Sequence, residues 1–578
     1  MAVNINENDS GLMMVPSDPN CILGICFAAL DPASPKIFGF SEFLAGLALM
    51  VLAWTISDFR YRFRVRVTAI PLMGLTFSVV ASIGILTLLT DIWRAEGYWV
   101  PEGNILTPVI WQGFLGGVFV LTFLGWVWYA FIKPSKYGKR NALRYARALY
   151  RTILKGDPVE LRIVADELSL SAKELIEQAT DYRNRRFVSK DANKSKEKPK
   201  PEVEAYANDL LLLIADKRFA RAIVDSSPGT ALLIFEAILE SGKFGVNIEI
   251  FGRNLVEEAF QNPDSFLFHE AEGYQSGLLG YHRPLSQALF SNHDLVEEIG
   301  TLLDTDYEKR RNWNGDQWKA YTRIVLMTFD SYVDTGSWQH SFVLYRAKGN
   351  IERALMDLYR IDGSTTSGWE DPEQAKLRVV VEYIKSAVEI LERKGVPDHL
   401  QIRIRDERKY ETIYDQLAGM IFETIFAVSA VRSPSNLCWW LQHNSVWGEL
   451  FNFQSLGGSA GKVVKFKVRR LIYNEIVRMK KFPNFKGAKI LGFCLNVMGL
   501  EFRKQDCFQD SNALHKALLS WTVRNYQWLH AQNKRVAEAC LVENYTYDED
   551  NQRLVKIYPE EGLRTKAGFE YLDLDPVV

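Results

Sequence analysis

The chain has few cysteines and no excess of either charge. Six of its 578 residues are cysteine, and four of them lie far apart with no CxxC spacing: Cys438, Cys494, Cys507 and Cys540. This excludes a disulfide scaffold and argues against a zinc ribbon. Lysine plus arginine total 69 against 70 for aspartate plus glutamate, a formal charge of −1. That balance excludes a globally basic nucleic-acid-binding protein and an acidic disordered chain.

Three apolar runs stand near the amino end, at 43–57, 69–90 and 105–132, and the second and third contain no charged residue. A helix rises about 1.5 Å per residue and the hydrocarbon layer is about 30 Å thick, so about 20 residues cross it. We therefore predict three transmembrane helices. Gln112 is the only strongly polar side chain well inside a run, which disfavours a secondary transporter.

Charges in the connecting loops predict the orientation. Arg60, Arg62, Arg64 and Arg66 lie between the first two runs, whereas the next loop carries Asp91, Glu96 and Glu102 against a single Arg94. Lysine and arginine accumulate on the cytoplasmic side of a membrane. We predict a multi-pass protein of a bacterial inner membrane, with its amino terminus outside and about 440 residues in the cytoplasm.

Cys21 and Cys26 fall on the outer, oxidising side in this topology. Either they close a small disulfide loop, or they belong to an apolar patch on the membrane surface.

A basic segment follows the third run and alternates cations with apolar residues at helical spacing. We predict a basic amphipathic helix that binds anionic lipid at the bilayer surface, with a nucleic-acid patch as the alternative. The predicted membrane-surface residues are Lys133, Lys136, Lys139, Arg140, Arg144, Arg147 and Arg151.

Small residues recur along the second and third runs, where they allow close approach of helix backbones. We predict that they pack helices within one subunit or between the copies of a homo-oligomer. The residues are Gly74, Ser78, Ser82, Gly113, Gly116 and Gly117.

Composition and periodicity predict a mainly α fold: three amino-terminal transmembrane helices and a large, mostly helical cytoplasmic region. Near the carboxyl end, 541–558 alternates around a polar turn, which predicts a short β-hairpin. The predicted regions are an extracytoplasmic tail at 1–36, the transmembrane domain at 37–133, a basic juxtamembrane segment at 134–188, a linker at 189–204 and the helical body at 205–578, with a subdivision near 363–375.

A stretch dense in histidine, tyrosine and glycine is a candidate ligand or partner loop. Its polar members are His269, Glu270, Glu272, Tyr274, Tyr281, His282 and His293. An HExxH zinc motif would need histidine where Gly273 stands, so we predict no metal site. The segment 456–465 also fails as a phosphate loop, because Leu456 replaces its first glycine and Val463 replaces the magnesium-binding hydroxyl. No cofactor is predicted.

Arg524, Asn525 and His530 form the one catalytic candidate. This short segment resembles the RNxxxxH-type motif of HEPN ribonucleases, which are all-helical proteins whose paired motifs cleave RNA in a dimer. The resemblance implies acid or base catalysis by His530 and stabilisation of phosphate charge by Arg524. It covers one helix only, and Arg393 to His399 repeats the spacing.

The sequence is compatible with three functions. The first is a non-enzymatic sensor, scaffold or effector whose cytoplasmic body binds a signal or protein partner and is coupled to the membrane domain. The second is a membrane-tethered HEPN-like ribonuclease, the only one of the three functions that requires nucleic acid as a partner. The third is an oligomeric pore lined by residues such as Ser78, Ser82, Thr87 or Gln112.

Overall fold

A computed structural model gives the fold as mainly helical with two small antiparallel sheets. This confirms the predicted fold class at that level. The structure describes residues 20–22, 25–30, 35–56, 58–102, 107–183, 202–272, 283–336, 338, 340–364, 371–395, 411–452, 454–502, 506–558 and 566–576.

The amino-terminal third contains seven helices in the described residues. They are α1 (Phe40–Ile56), α2 (Phe59–Arg66), α3 (Leu72–Ala95), α4 (Pro108–Val127, continued by a π-helical turn at Trp128–Ile132), α5 (Ala142–Lys155), α6 (Pro158–Ser169) and α7 (Ala172–Gln178).

Eighteen further α-helices follow in the described part of the remaining chain. They are α8 (Glu202–Leu213), α9 (Lys217–Ser226), α10 (Pro228–Ser241), α11 (Glu249–Gln261), α12 (Phe266–Glu272), α13 (Pro284–Phe290), α14 (His293–Ile299), α15 (Tyr307–Arg311), α16 (Gly315–Thr335), α17 (Phe342–Glu352), α18 (Pro372–Lys394), α19 (Ile413–Val428), α20 (Ser435–Trp439), α21 (Glu449–Phe451), α22 (Ser459–Arg478), α23 (Phe485–Met498), α24 (Asn512–Gln532) and α25 (Lys534–Glu538).

Two helices, rather than the three predicted, are clearly long and apolar enough to cross a membrane: Leu72–Ala95 and Pro108–Ile132. The first apolar run forms α1, which has only 17 residues because the chain bends by 104° before the arginine-rich α2. If each bent pair of helices is one span, the number rises to four, and the second pair is α9 with α10. The prediction of three transmembrane helices is therefore not confirmed.

Helices α1, α3 and α4 share one apolar cluster, which includes Phe43, Met50, Val80, Ile83 and Phe119. Glycines bring these helices together. A Cβ on Gly84 would lie 2.8 Å from the Phe43 ring, and a Cβ on Gly46 would lie 2.8 Å from the Phe119 ring. The close packing of α1 against α3 and α4 depends on those missing side chains.

Strands β4 (Tyr545–Asp548) and β5 (Arg553–Tyr558) form the predicted carboxyl-terminal hairpin. A third strand, β6 (Gly568–Asp573), pairs antiparallel with β5 and completes a sheet of order β4-β5-β6. The sequence did not predict β6.

The other sheet was also not predicted. It consists of β1 (Asn20–Ile22), β2 (Ile25–Ala29) and β3 (Trp99–Glu102), in that order. Cys21 and Cys26 are directly opposite each other in the β1–β2 register.

The chain divides into two compact units. The first comprises Met1–Gln178 with Pro199–Leu210, and the second comprises Ala179–Lys198 with Leu211–Val578. Most of the predicted linker at 189–204 lies outside the described residues, and α8 begins within its last three positions. In the second unit, the apolar faces of α18 and α19 are buried. Helix α19 is thus a buried helix of this unit.

Candidate membrane-surface site

A buried ion pair joins α2 to α6 beside the end of α4. The Arg64 guanidinium donates to both oxygens of Glu167, through Nε at 2.8 Å and Nη2 at 2.7 Å. Its Nη1 donates to the Ala130 carbonyl oxygen at 3.2 Å, in the π-helical turn that ends α4. The Glu167 side chain is only 4% exposed, so its charge depends on this bidentate contact and on Arg60, whose Nε lies 3.6 Å away.

A second set of contacts joins α5 to the turn before α3. The Asn141 amide donates to the Val67 carbonyl oxygen at 2.7 Å. Arg144 Nη1 donates to the carbonyl oxygens of Ala69 at 2.6 Å and Thr68 at 3.2 Å. Together, the two sets of contacts hold the start of α3 and the end of α4 next to α5 and α6. We call them the polar clamp, defined by Arg64, Glu167, Asn141 and Arg144.

A groove of about 570 Å³ lies beside the polar clamp, between the end of α2 and one face of α5. Five of the eight residues that line it are cations, and none is acidic. The cations are Arg66, Arg144, Arg147, Arg151 and Lys155. We call this feature the basic groove.

The cations of the basic groove have no counter-ions within the described residues. Arg144 donates only to backbone oxygens. Arg66, Arg147, Arg151 and Lys155 have no carboxylate within 4 Å there, and no acidic residue lines the groove. Positive charge gathered in a concave surface attracts anions such as a lipid phosphate.

Exposed apolar side chains share this face of α5. Leu143, Tyr150 and Leu154 are 36%, 58% and 45% exposed. The opposite face, with Tyr145 and Leu149, is buried, and burial raises the pKa of Tyr145 to about 12. An outward face that mixes cations with apolar groups is typical of a helix at a lipid headgroup boundary.

The other predicted membrane-surface residues lie away from the basic groove. Lys136 forms an ion pair with Glu174 at 2.8 Å. Lys133, Lys139 and Arg140 are exposed. Of the seven predicted cations, the structure therefore brings only Arg144, Arg147 and Arg151 together in the groove.

The small residues take different positions. Gly74, Ser78 and Ser82 lie on an exposed stripe of α3, and a Cβ on Gly74, Gly113 or Gly117 would meet nothing within 4 Å. A Cβ on Gly116 would instead lie 3.1 Å from the Phe38 ring. Packing inside the subunit thus involves Gly116, whereas the stripe on α3 stays open.

Two of the polar residues suggested as pore-lining point into the subunit. Gln112 is 3% exposed and Thr87 is 1% exposed. Gln112 Oε1 accepts hydrogen bonds from the backbone N–H groups of Ile37 at 3.0 Å and Phe38 at 3.4 Å. Its position is explained by this contact with the segment that enters α1.

Arg524, Asn525 and His530 all lie on α24, with Arg524 exposed. Asn525 Nδ2 donates to the Trp521 carbonyl oxygen of its own helix at 2.8 Å. His530 packs edge-on against Tyr547 of β4 and lies 3.6 Å from a Glu549 carboxylate oxygen. Six positions on an α-helix separate two side chains by about 120°, so Arg524 and His530 face different directions within one chain.

The candidate ligand loop is only partly described, because Tyr274, Tyr281 and His282 lie outside the described residues, as does the side chain of Glu272. His269 lies on α12. Glu270 accepts hydrogen bonds from Ser286 N at 2.7 Å and Ser286 Oγ at 2.8 Å at the start of α13. His293 Nε2 lies 3.0 Å from Ser341 Oγ. Glu270 and His293 therefore hold helices together.

No group of three or more His, Cys, Asp or Glu side chains is placed to hold a metal ion within the part of the chain that the structure describes. After the glycine-rich segment, the backbone N–H groups at the start of α22 already bind a carboxylate of the chain itself. The Glu392 carboxylate accepts from Ser459 N at 2.9 Å and Ala460 N at 2.8 Å. This carboxylate stands where a phosphate loop would hold a phosphate.

Comparison with known proteins adds no relative: the chain matches no family model, no curated protein and no solved structure.

Sequence reasoning missed Glu167 and Asn141, which complete the polar clamp. Glu167 stands beside Val164, Ala165 and Leu168 on a helix whose inner face is otherwise apolar. An acidic residue on an apolar face is the signal that could have marked it as a buried partner of one of the four arginines of α2.

Proposed function

We propose that this protein is a membrane-anchored sensor, scaffold or effector, and that the basic groove binds the phosphate of an anionic lipid. The observation that carries the proposal is the convergence of Arg66, Arg144, Arg147, Arg151 and Lys155 in one groove with no acidic residue in its lining. The groove adjoins the turn that leads into a helix long and apolar enough to cross a membrane.

The charge distribution supports a cytoplasmic location for the groove. The polar clamp gathers the arginines of α2 and the cations of α5 at one end of the apolar helices. Asp91, near the end of α3, forms an ion pair with Lys36 at 2.8 Å, and Glu96 follows that helix. The positive-inside tendency then favours an outer amino terminus and a cytoplasmic body, as in a bacterial inner membrane.

The polar clamp supports the idea that lipid binding is coupled to the apolar helices. Arg144 lines the basic groove and also holds the carbonyl groups of Thr68 and Ala69 before α3. A lipid phosphate that binds Arg144 would compete with those carbonyl oxygens for the guanidinium group. We infer that occupation of the groove changes how firmly α5 is held to α3.

The test uses the full chain in nanodiscs that contain either phosphatidylglycerol or only phosphatidylcholine. Each near-surface cation contributes about 1 kcal/mol with anionic lipid. We expect anionic lipid to slow amide hydrogen exchange in α5 and to stay bound to the protein in native mass spectrometry. Reversing two charges in Arg147→Glu with Arg151→Glu should abolish both effects.

The matched control reverses two charges of the same segment outside the groove, in Lys139→Glu with Arg140→Glu. This variant should keep the bound lipid if the groove is the site. Equal loss of lipid in both variants would show that lipid binding depends on general surface charge and not on the groove. A wild-type protein that shows no preference for phosphatidylglycerol would refute the proposal.

A further inference from the structure

A second charged cavity lies wholly within the carboxyl-terminal unit. It has a volume of about 670 Å³, within the range of small-molecule sites. Its cations are Lys217, Arg253, Arg310, Arg346, Lys348 and Arg353, and its carboxylates are Glu257, Asp304, Asp306 and Glu352. We call it the arginine cavity.

Three of the four carboxylates of the arginine cavity already have a cationic partner. Asp304 pairs with Arg346, and Glu352 pairs with Lys348 at 3.0 Å. Glu257 lies 3.5 Å from Lys309 Nζ and accepts a hydrogen bond from Asp306 N at 3.1 Å. The Asp306 carboxylate accepts the N–H of Glu308 at the start of α15. In the described part of the chain it has no ion pair of its own, so its negative charge offsets one of the cations, Arg310 among them.

Four of the six cations have no such partner. Lys217, Arg253, Arg310 and Arg353 come from four separate segments, α9, α11, α15 and the turn after α17. Within the described ranges none of them has a carboxylate inside 4 Å, although all four line the same cavity. Their positive charge is therefore not balanced by ion pairs of the chain itself.

Arg310 is the strongest sign of a missing anion, because it is only 4% exposed. Its Nη1 donates to the Thr305 carbonyl oxygen at 3.2 Å and to Thr305 Oγ1 at 3.1 Å. Nε and Nη2 donate to no other group that the structure describes. Burial of a guanidinium costs free energy unless an anion and hydrogen bonds compensate it.

The cavity wall around these cations is fixed by buried contacts. Asn350, which lines the cavity, donates from Nδ2 to Tyr321 Oη at 3.1 Å. Tyr321 Oη in turn donates to the Leu303 carbonyl oxygen at 2.8 Å. A wall held in this way keeps the cations close together before a ligand arrives, which lowers the entropic cost of binding.

We propose that the arginine cavity binds a small molecule that carries a chain of at least two phosphate groups. The four cations without an ion pair and the Asp306 carboxylate leave about three positive charges in the cavity. A terminal phosphate carries about −1.5 to −2 charges at neutral pH and an inner phosphate about −1, so a chain of two phosphates balances them. Guanidinium groups also match phosphate oxygens in geometry. A neighbouring cavity of about 280 Å³ shares Arg310 and Arg353 and is lined by Trp318 and Tyr359, which leaves room for a base attached to the phosphates.

This site is independent of the lipid proposal, because all its residues lie outside the amino-terminal unit.

The experiment is isothermal titration of the detergent-purified full chain, desalted from high salt so that anions held by charge are released. The probes are inorganic tripolyphosphate, ATP and orthophosphate. We expect tripolyphosphate and ATP to bind, and orthophosphate to bind at least tenfold more weakly. Tighter binding of ATP than of tripolyphosphate would assign the ligand to the nucleotides, and the reverse order would assign it to free polyphosphates.

Three variants test whether this cavity is the site. Loss of a charge-assisted hydrogen bond costs about 1.5 to 3 kcal/mol, or about 10-fold to 100-fold in Kd. We expect such losses for Arg310→Gln, Arg253→Gln and Arg353→Gln, and no change for Lys480→Gln, an exposed lysine outside the cavity.

If Arg310→Gln fails to fold, the exposed Arg353 still decides the matter. Unchanged affinity in Arg253→Gln and Arg353→Gln would overturn the proposal. So would an equal affinity for orthophosphate, or the absence of binding by every probe at millimolar concentration.

Discussion

His293 and Glu297 show how a candidate ligand residue serves the fold. Ser341 Oγ donates to the Glu297 carboxylate at 2.7 Å, and the backbone N–H of Phe342 donates to it at 2.9 Å. His293 Nε2 lies 3.6 Å away. Burial alone raises the pKa of Glu297, but the nearby His293 and the hydrogen bonds from Ser341 and the backbone outweigh it and lower the pKa to about 2.

This lowered pKa predicts a pH dependence. A carboxyl whose pKa falls on folding stabilises the protein above its ordinary pKa, and that stability is lost as pH falls toward the folded value. Between pH 5 and pH 3.5 we expect the wild type to lose up to about 1 kcal/mol more than Glu297→Gln, after allowance for partial exposure of the side chain. Thermal unfolding in detergent at both pH values measures this difference.

Glu298→Gln is the matched control, since Glu298 accepts no hydrogen bond that the structure describes. It should follow the wild type. The same slope in wild type and Glu297→Gln would contradict the assignment of this contact.

At the scale of single elements, α6 carries a buried ion pair of the polar clamp and, at the adjacent position, an exposed ion pair outside it. Arg64 pairs with Glu167, whose side chain is 4% exposed. Arg60 pairs with Asp166, whose side chain is 51% exposed. Breaking a buried ion pair leaves an uncompensated charge, whereas an exposed pair contributes little.

We therefore expect Glu167→Gln to destabilise the contact of α2 with α6 by about 3 kcal/mol. Asp166→Asn should cost less than about 1 kcal/mol. Amide hydrogen exchange in α2 and α6 measures each loss separately from the rest of the chain.

Replacing both buried partners, in Arg64→Met with Glu167→Leu, should restore much of the lost protection, because neither charge is then left buried. Equal effects of Glu167→Gln and Asp166→Asn would show that the buried ion pair contributes no more to stability than the exposed one.

Elements with strong periodicity could be predicted from sequence, and elements shaped by tertiary contacts could not. The stripe of α18, with Leu377, Val380 and Ile384, is buried as its spacing predicts. The length of α1 depends on the bend before α2. Strand β6 forms by pairing with the edge of β5 that β4 leaves unpaired. Neither the bend nor the free edge leaves a local signal in the sequence.

The same limit applies to the candidate sites. The cations of α5 lie in one short stretch of sequence, so their spacing indicates a basic helix face. The arginine cavity instead draws its unpaired cations from four separate segments. Residues such as Lys217 and Arg353 are 136 positions apart, and single-sequence periodicity cannot bring them together.

At the scale of the whole molecule, α3 carries a surface through which copies could associate. Homo-oligomerisation remains a proposal, and the exposed stripe of Gly74, Ser78 and Ser82 is the surface that it would use. Gly84 differs, because a Cβ there would meet Phe43 at 2.8 Å. A substitution at Gly74 therefore tests association between copies, whereas a substitution at Gly84 tests packing within one copy.

We expect Gly74→Leu to lower the subunit count in native mass spectrometry and to leave the melting temperature of the protein unchanged. Gly84→Leu should lower the melting temperature, since it disrupts the packing of α3 against α1. A wild-type monomer, or an unchanged count in Gly74→Leu, would contradict association through this stripe.

The hydrogen bonds of Arg144 to Thr68 and Ala69 have a consequence for bilayer thickness. They fix the depth of the turn before α3 relative to α5. The apolar part of α3, from Leu72 to Thr90, rises about 28 Å and so matches the roughly 30 Å of hydrocarbon. Since the turn is held in place, the helix must adapt to a thinner bilayer by tilting rather than sliding. Tilting of α3 would pull on the guanidinium that also lines the basic groove.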